Sequence, residues 1–430
     1  MRNTKRRNTE RNNILPEYKN IILNFSHLAF GEFSSKAFGF LTSVYLARVL
    51  GADNFGLLGF VSALSAYVVL FSNFGIEQYA SQFLSVHPSV GNKRFIGVVL
   101  GTRLILSLIL SVPYILFGLL YTQSVDERSV FIFQIMFIVG FSLNLQFLFI
   151  ASKRTFPQGA VRLTTALFIF LFSFLFIKDR SDFLYVTLVS GGTTFLVFLS
   201  TVLYIRNKEN ISISLPGRAE ITSLLQKAAP LGLSALMVQI YYSADIVFLG
   251  FTNPGVELGY YTGAYKIILL YTALPALVYQ VFLPFLAPIK KDHFQNRTTR
   301  MYIGILAVSG LFLSGLSYIS ADFIIPTVLG SAYIPAIGVF KILLINVLFV
   351  FVNVSLGNLL IAWNEHKKYL LVVASGAGAN IIANIILIPM YGIYGAAIAT
   401  VIAEAAVFAM AVYFNQKLFG LFYRYGHGDK

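Results

Sequence analysis

Eight charged side chains lie inside long apolar stretches of this sequence, and their types could do chemistry there. Four are bases and four are acids: Lys36, Arg103, Lys266, Lys341, Glu32, Glu77, Asp245 and Glu404. A charge in the bilayer interior costs at least about 2.5–3.5 kcal/mol, so each one needs a partner, a water-filled cavity or a function. Buried bases can bind an anionic ligand, and buried acids can exchange protons or other cations. The residue types therefore indicate ligand binding and ion exchange within a membrane.

The four bases are the candidate substrate-binding residues, and Lys36 is the first choice among them. Glu32 is spaced i,i+4 from Lys36, so the two can pair on one helical face. Two interpretations of this pair remain open. The two charges neutralise each other and have no further role, or Lys36 leaves Glu32 to bind an anionic group. Lys266 is also deep. Arg103 and Lys341 lie close enough to a membrane surface to extend their side chains to it; otherwise Arg103 would continue a basic path into a cavity.

Asp245 and Glu404 are acids with no opposite charge nearby in the sequence. With Glu32, they are the candidates for ion coupling or for charge pairing. Two alternatives remain open for each: a basic partner on another helix, or a neutral hydrogen-bonded state. Glu77 lies near the end of its apolar stretch and is interpreted as structural.

Polar residues elsewhere in the second half give weaker signals. Asn380 and Asn384 share a helical face, for which interhelical hydrogen bonding is the default interpretation. Six tyrosines gather around residues 241–271, and an interfacial aromatic belt explains most of them. Three prolines, Pro275, Pro284 and Pro288, predict a kinked or broken helix.

Composition identifies the class of protein and excludes several functions. The 430 residues are 57% hydrophobic and 12% charged, whereas soluble proteins average about 25% charged residues. The absence of cysteine excludes thiolate metal and redox sites. No phosphate-binding loop, metal-spaced histidine cluster or paired-carboxylate motif occurs, so we expect no enzyme, no cofactor and no metal site. The sequence predicts a polytopic membrane protein powered by an ion gradient, the membrane potential or downstream consumption.

Twelve apolar runs are long enough to cross a bilayer, which takes about 20 residues. They span approximately 20–49, 54–86, 94–121, 129–151, 157–178, 182–206, 221–251, 256–288, 297–322, 335–363, 367–389 and 392–418. The predicted fold is therefore all-α, with twelve transmembrane helices in two six-helix lobes around a central cavity. The lobes are 20–206 and 221–420, joined by a polar cytosolic linker at 207–220 and flanked by cytosolic tails at 1–19 and 421–430.

Basic residues predict the orientation of these helices. With a cytosolic N-terminus, 24 of the 32 lysines and arginines would lie at the inner face and four in the outer turns. This bias follows the positive-inside rule and predicts that both termini are cytosolic. It also explains the net charge of +14 without a nucleic-acid partner, because the bases do not form one patch.

A short turn pattern occurs in both halves of the chain. Leu50-Gly51-x-x-Asn54-x-Gly56 is matched 199 residues later by Leu249-Gly250-x-x-Asn253-x-Gly255. Each copy predicts a turn between two helices, and the repetition favours a duplication. Six helices per half would make the halves parallel repeats, an architecture suited to alternating access. Arg48, just before the first turn, is predicted to cap the C-terminal end of the first helix.

Three segments of the sequence resemble one known family. Ser43-Val-Tyr-Leu-Ala-Arg-Val-Leu-Gly-Ala-Asp-Asn-Phe-Gly-Leu-Leu-Gly59, followed by Phe74-Gly75-Ile76, resembles the start of the polysaccharide-exporter and O-antigen flippase family. Val328-Leu-Gly-Ser-Ala-Tyr-Ile-Pro-Ala336 and Tyr391-Gly-Ile-Tyr-Gly-Ala-Ala-Ile-Ala-Thr400 are similar to later helices of that family. These motifs are structural turns, so they identify the fold better than the substrate.

The resemblance implies a fold shared with multidrug exporters and with flippases of the lipid-linked peptidoglycan precursor. It also implies a task in the bacterial cytoplasmic (inner) membrane: flipping an undecaprenyl-pyrophosphate-linked oligosaccharide, an O-antigen or capsule unit used for lipopolysaccharide or capsule. Expected partners are that lipid, the membrane lipids, and the polymerase and chain-length regulator of the same pathway. Twelve helices, rather than the fourteen usual in peptidoglycan precursor flippases, favour the O-antigen or capsule branch. The alternative is an ion-coupled multidrug or small-cation antiporter of the same fold.

Overall fold

The computed structural model describes the backbone of residues 2–87, 93–211, 213–286, 289 and 297–415. Within these ranges it describes the side chains from Phe30 onward, except those at 155 and 284. Throughout this described part, every regular element is a helix and no strand occurs. The predicted all-α class is confirmed. The predicted tail 421–430 and Pro288 lie outside the described residues, as do the side chains of Pro284 and of the predicted tail 1–19.

Fourteen α-helices follow one another along the described chain, with 3-10 segments at Arg180–Asp182 and Ser331–Ala336. The α-helices are α1 (Arg2–Asn73), α2 (Ile76–Val86), α3 (Lys93–Tyr121), α4 (Val125–Ser142), α5 (Gln146–Ala151), α6 (Thr155–Phe176), α7 (Phe183–Glu209), α8 (Arg218–Thr252), α9 (Val256–Thr272), α10 (Leu274–Leu286), α11 (Arg297–Ile319), α12 (Ala321–Leu329), α13 (Ile337–Ala362) and α14 (His366–Phe414).

Two of these helices are each interrupted at a single glycine. Gly51 in α1 has φ 77° and Gly392 in α14 has φ 53°, a region of φ that only glycine adopts without cost. By length and composition, ten helical stretches of the described chain can cross a membrane, and two of them, Phe30–Val86 and His366–Phe414, have 57 and 49 residues. Dividing these two at their glycines gives twelve spans, the number that the sequence predicts.

The observed helices also differ from the predicted runs in other places, beginning with the second run, which is broken between α1 and α2 at residues 74–75. The fourth predicted run is broken between α4 and α5 at residues 143–145. The eighth is broken at Ala273, two residues before Pro275, which agrees with the predicted kink. The short helix α12 was not predicted, because its nine residues fall in a stretch too short to span a membrane.

The described chain forms two compact units. Unit 1 comprises residues 1–42, 71–176 and 186–232, and unit 2 comprises 43–70, 177–185 and 233–430. The predicted lobes at 20–206 and 221–420 concern an internal duplication and stay a prediction.

Unit 1 has a hydrophobic core contributed by α2, α3, α5, α7 and α8. The predicted linker at 207–220 packs onto it: Ile211 is buried in this core, and the Ser214 N–H donates to the Gly97 carbonyl on α3 at 3.2 Å. The linker of unit 1 is therefore held against a helix.

In unit 2 the two copies of the turn pattern pack against each other. A Cβ added to Gly56 would lie 2.6 Å from the backbone nitrogen of Gly259, and one added to Gly250 would overlap the ring of Phe60. The two copies nevertheless differ in backbone conformation. Gly51 has a positive φ in the first copy, whereas its counterpart Gly250 lies within α8; in the second copy it is Gly255 that has a positive φ, 86°. Each copy therefore contains a break between helices, as predicted, but the break falls at the first glycine in one copy and at the last glycine in the other.

Arg48 caps a different helix from the one predicted. Its guanidinium donates to the carbonyls of Thr327 and Val328, with Nε 2.9 Å from the Val328 oxygen. These carbonyls belong to the last turn of α12, where a cation is favourable. The prediction of a C-terminal cap was right in kind and wrong in helix, because the partner is about 280 residues distant in sequence.

Candidate functional site

Three charged side chains meet on α1 and α6 of unit 1. Lys36 Nζ lies 3.3 Å from Glu32 Oε1, as the i,i+4 spacing predicts. The other oxygen, Glu32 Oε2, accepts a hydrogen bond from Arg162 Nη1 on α6. Arg162 is missing from the site predicted by sequence, which counted it among the inner-face bases. We call these three residues the charged triad.

Close helix packing brings Arg162 to Glu32. A Cβ on Gly31 would lie 2.6 Å from the Cα of Gly159, so the absence of a side chain at Gly31 allows α1 and α6 to approach this closely. One turn of helix beyond this contact, Arg162 reaches the carboxylate. Further along the same two helices, the rings of Phe38 and Phe170 are 5.6 Å apart.

The charged triad carries two bases and one acid. Its side chains are 44% (Lys36), 24% (Glu32) and 33% (Arg162) exposed, so all three remain accessible in part. One carboxylate cannot neutralise two cations, and the triad therefore has a net charge of +1. Such a group can accept an anionic ligand by exchanging part of the Glu32 contacts.

Arg103 differs from both of its predicted roles. Its side chain is 0% exposed, so it neither extends to a surface nor lines a cavity. Its guanidinium donates to the carbonyls of Asn144 and Phe141, both at 2.8 Å, and Glu77 Oε2 lies 3.8 Å away. Phe141 lies in the last turn of α4, and Asn144 lies two residues beyond the end of that helix at Ser142. Arg103 therefore satisfies a helix terminus that would otherwise be buried without partners.

The two remaining candidate cations lie in unit 2, in different environments. Lys341 Nζ lies 2.9 Å from Asp322 Oδ2 and 5.8 Å from the centre of the Tyr318 ring. This pairing supports the predicted extension toward the surface. Lys266 on α9 is half-buried, and it makes no hydrogen bond or ion pair with any residue in the described part of the chain. A role of either lysine in substrate binding stays a prediction.

Asp245 is the centre of a buried hydrogen-bond network in unit 2. Asp245 Oδ1 accepts from Asn380 Nδ2 at 2.8 Å and from Asn384 Nδ2 at 2.5 Å. Asp245 Oδ2 accepts from the Tyr261 hydroxyl at 2.7 Å and from Thr400 Oγ1 at 2.6 Å. The carboxyl group is 2% exposed, and no base pairs with it among the described residues. We call these five residues the Asp245 centre.

Sequence analysis identified part of the Asp245 centre. Asp245 was singled out, and Asn380 and Asn384 were expected to hydrogen-bond between helices, which they do. Tyr261 is one of the six tyrosines for most of which an interfacial belt was predicted, but it is fully buried and its ring stacks on Tyr265 at 5.8 Å, so it is not part of such a belt. Thr400 was missed. Its hydroxyl oxygen also lies 3.0 Å from the Ala396 carbonyl, which is a second acceptor within reach of the one hydroxyl proton, as is common for threonine in helices.

Glu404 is the second buried acid of unit 2. It lies on α14 one turn after Thr400 and is 3% exposed. Asn353 Nδ2 on α13 donates to Glu404 Oε2 at 2.5 Å and to the Glu404 backbone carbonyl at 2.9 Å. No base pairs with Glu404 among the described residues. Both acids are hydrogen-bonded by neutral donors on other helices. A role of either acid in ion coupling stays a prediction.

The sequence of the chain is similar to that of polysaccharide biosynthesis proteins. A family model for polysaccharide biosynthesis proteins matches residues 21–290. A candidate O-antigen transporter of Escherichia coli (strain K12) is 22% identical over 248 residues, which cover 56% of the chain and 59% of that relative's length. The matched part thus spans little more than half of the relative.

Solved structures with the same fold are membrane transporters. The lipid II flippase MurJ in an inward closed conformation superimposes with a TM-score of 0.73, at 16% identity, over 90% of the chain and 87% of that structure. A multidrug resistance transporter of the MATE family, inward-facing, gives a TM-score of 0.62 at 15% identity over 91% and 96%. At these identities the likeness is one of fold.

Proposed function

The chain belongs to the family of polysaccharide biosynthesis proteins, as its sequence motifs predict, and on that premise we propose that it flips a lipid-linked oligosaccharide. The chain is a multi-pass membrane transporter with a flippase fold. The proposed cargo is an undecaprenyl-pyrophosphate-linked oligosaccharide, an O-antigen or capsule repeat unit, moved by alternating access. The observation that carries this proposal is the charged triad, in which two bases share one acid.

The charged triad has the chemistry to hold a pyrophosphate group. Arg162 can form two parallel hydrogen bonds with phosphate oxygens, and Lys36 can act as a second, mobile point charge. Glu32 keeps both bases in position while the site is empty. When an anion arrives, each base exchanges its contact with Glu32 for one with the ligand. The acid thereby prevents two unpaired cations from being buried.

The Asp245 centre is the proposed coupling site of the same transporter. A buried carboxyl group held only by neutral donors can take up a proton or a small cation without displacing a fixed base. The side-chain oxygens of Asn380, Asn384 and Thr400 could then turn toward that cation, since hard cations prefer oxygen ligands. Binding at this centre would favour one conformation of the transporter over another.

The proposed setting is the bacterial inner membrane, with both termini cytosolic. The excess of lysine and arginine at one face supports this orientation. The polymerase and chain-length regulator of the same pathway are proposed partners, because the flipped unit must be consumed on the other side.

The test is transport in vesicles that contain the purified protein and a fluorescent polyprenyl-pyrophosphate oligosaccharide. The charge-removing variants are Lys36→Met and Arg162→Met, and Lys341→Met is the matched control, a lysine that is also paired with an acid. We expect both triad variants to lose transport while the control retains it. Wild-type protein that moves no lipid-linked sugar would overturn the proposal.

An ion-coupled antiporter for drugs or small cations is the second candidate. It is favoured by the two buried acids, Asp245 and Glu404, which pair with no base among the described residues. Efflux of a cationic dye driven by a proton or sodium gradient, together with absent sugar-lipid transport in the same vesicles, would support this candidate over the flippase.

A further inference from the structure

A small cavity lies within unit 2 between α8, α13 and α14. It has a volume of about 160 Å³, and its polar lining residues are Tyr241, Tyr242, Asn353, Asn358, Tyr369 and Glu404. The remaining lining is glycine and valine. We call this space the tyrosine cavity. A liquid water molecule takes about 30 Å³, so the cavity has room for about five waters.

The tyrosine cavity leads inward from the turn between α13 and α14. Asn358 lies four residues before the end of α13 at Ala362, and Tyr369 lies three residues after the start of α14 at His366. Because α14 is interrupted at Gly392 and is predicted to cross the membrane twice, its end at Phe414 is expected at the same face as the turn. Glu404 lies ten residues before Phe414, which is about 15 Å along the helix axis. This depth is close to half of a hydrocarbon core about 30 Å thick. The cavity therefore connects the region of the turn with the middle of the membrane span.

The lining of the tyrosine cavity is suited to a cation. Glu404 is its only acid, and no lysine, arginine or histidine lines it. Asn353 Oδ1 is buried and has no hydrogen-bond partner among the described residues, so an acceptor oxygen is left open beside the carboxylate. Tyrosine rings attract cations through their faces, and their hydroxyl groups can hold the accompanying water.

The inner end of the tyrosine cavity adjoins the Asp245 centre along two helices. Glu404 lies four residues after Thr400 on α14, and Tyr242 lies three residues before Asp245 on α8. Each of these separations is about one helical turn, or about 5–6 Å along the axis. The Tyr265 hydroxyl also donates to the Tyr242 carbonyl at 3.1 Å, and the Tyr265 ring stacks on Tyr261 of the centre.

We infer that the tyrosine cavity is the entry route by which a small monovalent cation reaches Glu404 from the face where the α13–α14 turn lies. Glu404 is the first station of this route and the Asp245 centre is the second. The cation is a proton or an alkali ion carried in the water of the cavity. The inference rests on the proposed coupling at Asp245 for its second station only, because the route to Glu404 follows from the cavity itself.

The chain contains no cysteine, so single cysteines can test this route directly. Val373→Cys places a thiol in the lining of the cavity, and Ile345→Cys on α13 is a control at a position that is exposed but outside the lining. Cationic and anionic thiol reagents that do not cross membranes are added from either side of vesicles containing each variant. Thermal unfolding of each variant, compared with the cysteine-free parent, confirms that it has folded.

We expect Val373→Cys to react from one side only, that of the α13–α14 turn, and roughly tenfold faster with the cationic reagent because of the nearby carboxylate. Adding Glu404→Gln, which keeps an acceptor for Asn353, should make the two rates nearly equal. Ile345→Cys should react with neither reagent, because this position lies within a membrane span and outside the cavity, where a charged reagent does not reach it. No reaction at Val373→Cys, or an equal preference with and without the carboxylate, would overturn the inference.

The labelling rate of Val373→Cys in two further solutions identifies the cation and separates this inference from the proposed function. Sodium at constant pH, compared with choline, should slow the reaction at Val373→Cys if the cation is an alkali ion; acid at constant sodium should slow it if the cation is a proton. Protection by neither would contradict the inference. These measurements need no substrate, so a failure of sugar-lipid transport with the labelling pattern intact would remove the proposed function alone.

Discussion

The charged triad of unit 1 and the Asp245 centre of unit 2 solve the problem of intramembrane charge in opposite ways. In the triad, Glu32 is held by two full positive charges, and the side chains of all three residues stay partly exposed. In the centre, Asp245 is held by four neutral donors and is almost completely buried. The first arrangement keeps an excess of positive charge available to a ligand. The second holds the carboxyl group with neutral donors only, so a cation that binds there has no fixed base to displace.

This difference has a consequence for what each region can tolerate. Exposed ion pairs contribute at most about 1 kcal/mol to stability, so their loss is felt mainly in ligand binding. Buried polar networks are costly to leave half satisfied, so their loss is felt in folding as well. Substitutions in the two regions should therefore affect stability and transport to different degrees.

Replacing Asp245 with leucine should lower the free energy of unfolding by about 3–5 kcal/mol. The substitution leaves four donor groups buried without their acceptor, and unpaired buried polar groups are expensive. Thermal or chemical unfolding of the purified protein measures the change. Asp245→Asn keeps a carbonyl oxygen as acceptor, so it should retain much of that stability while losing any dependence of transport on the coupling ion. Equal stability of the leucine variant and the wild type would contradict the buried network.

Replacing Arg162 with glutamine should reduce transport of the lipid-linked oligosaccharide about tenfold or more and change stability by less than about 1 kcal/mol. A charge-assisted contact with a phosphate contributes about 1.5–3 kcal/mol to binding, whereas the partly exposed pair with Glu32 contributes little to folding. Initial transport rates in vesicles, with unfolding of the same sample, separate the two quantities. Arg103→Gln is the opposite case, because that buried base supports a helix end and its loss should affect stability first.

Removing a single donor from the Asp245 centre should cost about 1 kcal/mol in the free energy of unfolding. Tyr261→Phe and Thr400→Val each remove one hydrogen bond of four, and a typical bond contributes about 0.5–1.5 kcal/mol. The double variant should show a coupling energy different from zero, since both hydroxyls bind the same oxygen. Strict additivity in a double-mutant cycle would mean that the two donors act independently.

Replacing Lys341 with alanine should have the smallest effect, below about 0.5 kcal/mol in the free energy of unfolding and no measurable change in transport. Its pair with Asp322 is partly exposed, and such pairs contribute little. High salt should reduce even this contribution. A large loss of transport in this variant would show that the positive site extends beyond the charged triad.

Contacts between residues close in sequence could be predicted, whereas contacts between residues far apart in sequence could not. The Glu32–Lys36 pair follows from a spacing of four residues on one helix. The partners of Glu32 and Asp245 on other helices are 130 residues away for Arg162 and 155 for Thr400, and one sequence gives no signal for such pairings. Arg103 was misjudged for a similar reason: distance to the surface was considered, but not the broken end of α4.

The fold class was predictable because hydrophobic runs and turn glycines are properties of short segments. The number of spans follows from the lengths of the apolar runs, and the broken eighth run follows from Pro275. The conformations of the two glycine patterns were not predictable, because Gly51 and Gly250 occupy the same position of the pattern but differ in backbone geometry. Gly250 lies within a helix and packs closely on the ring of Phe60, a contact that the pattern itself does not reveal.

The single-residue breaks at Gly51 and Gly392 also bear on how the chain is made. Two spans joined by one glycine leave almost no connecting loop that could hold one span outside the membrane after the other has entered it. We therefore expect each of these pairs to be inserted as a hairpin during synthesis. A reporter domain fused at either glycine would therefore disturb the hairpin that it was meant to map, and the first and last pairs of spans are best mapped from their outer ends.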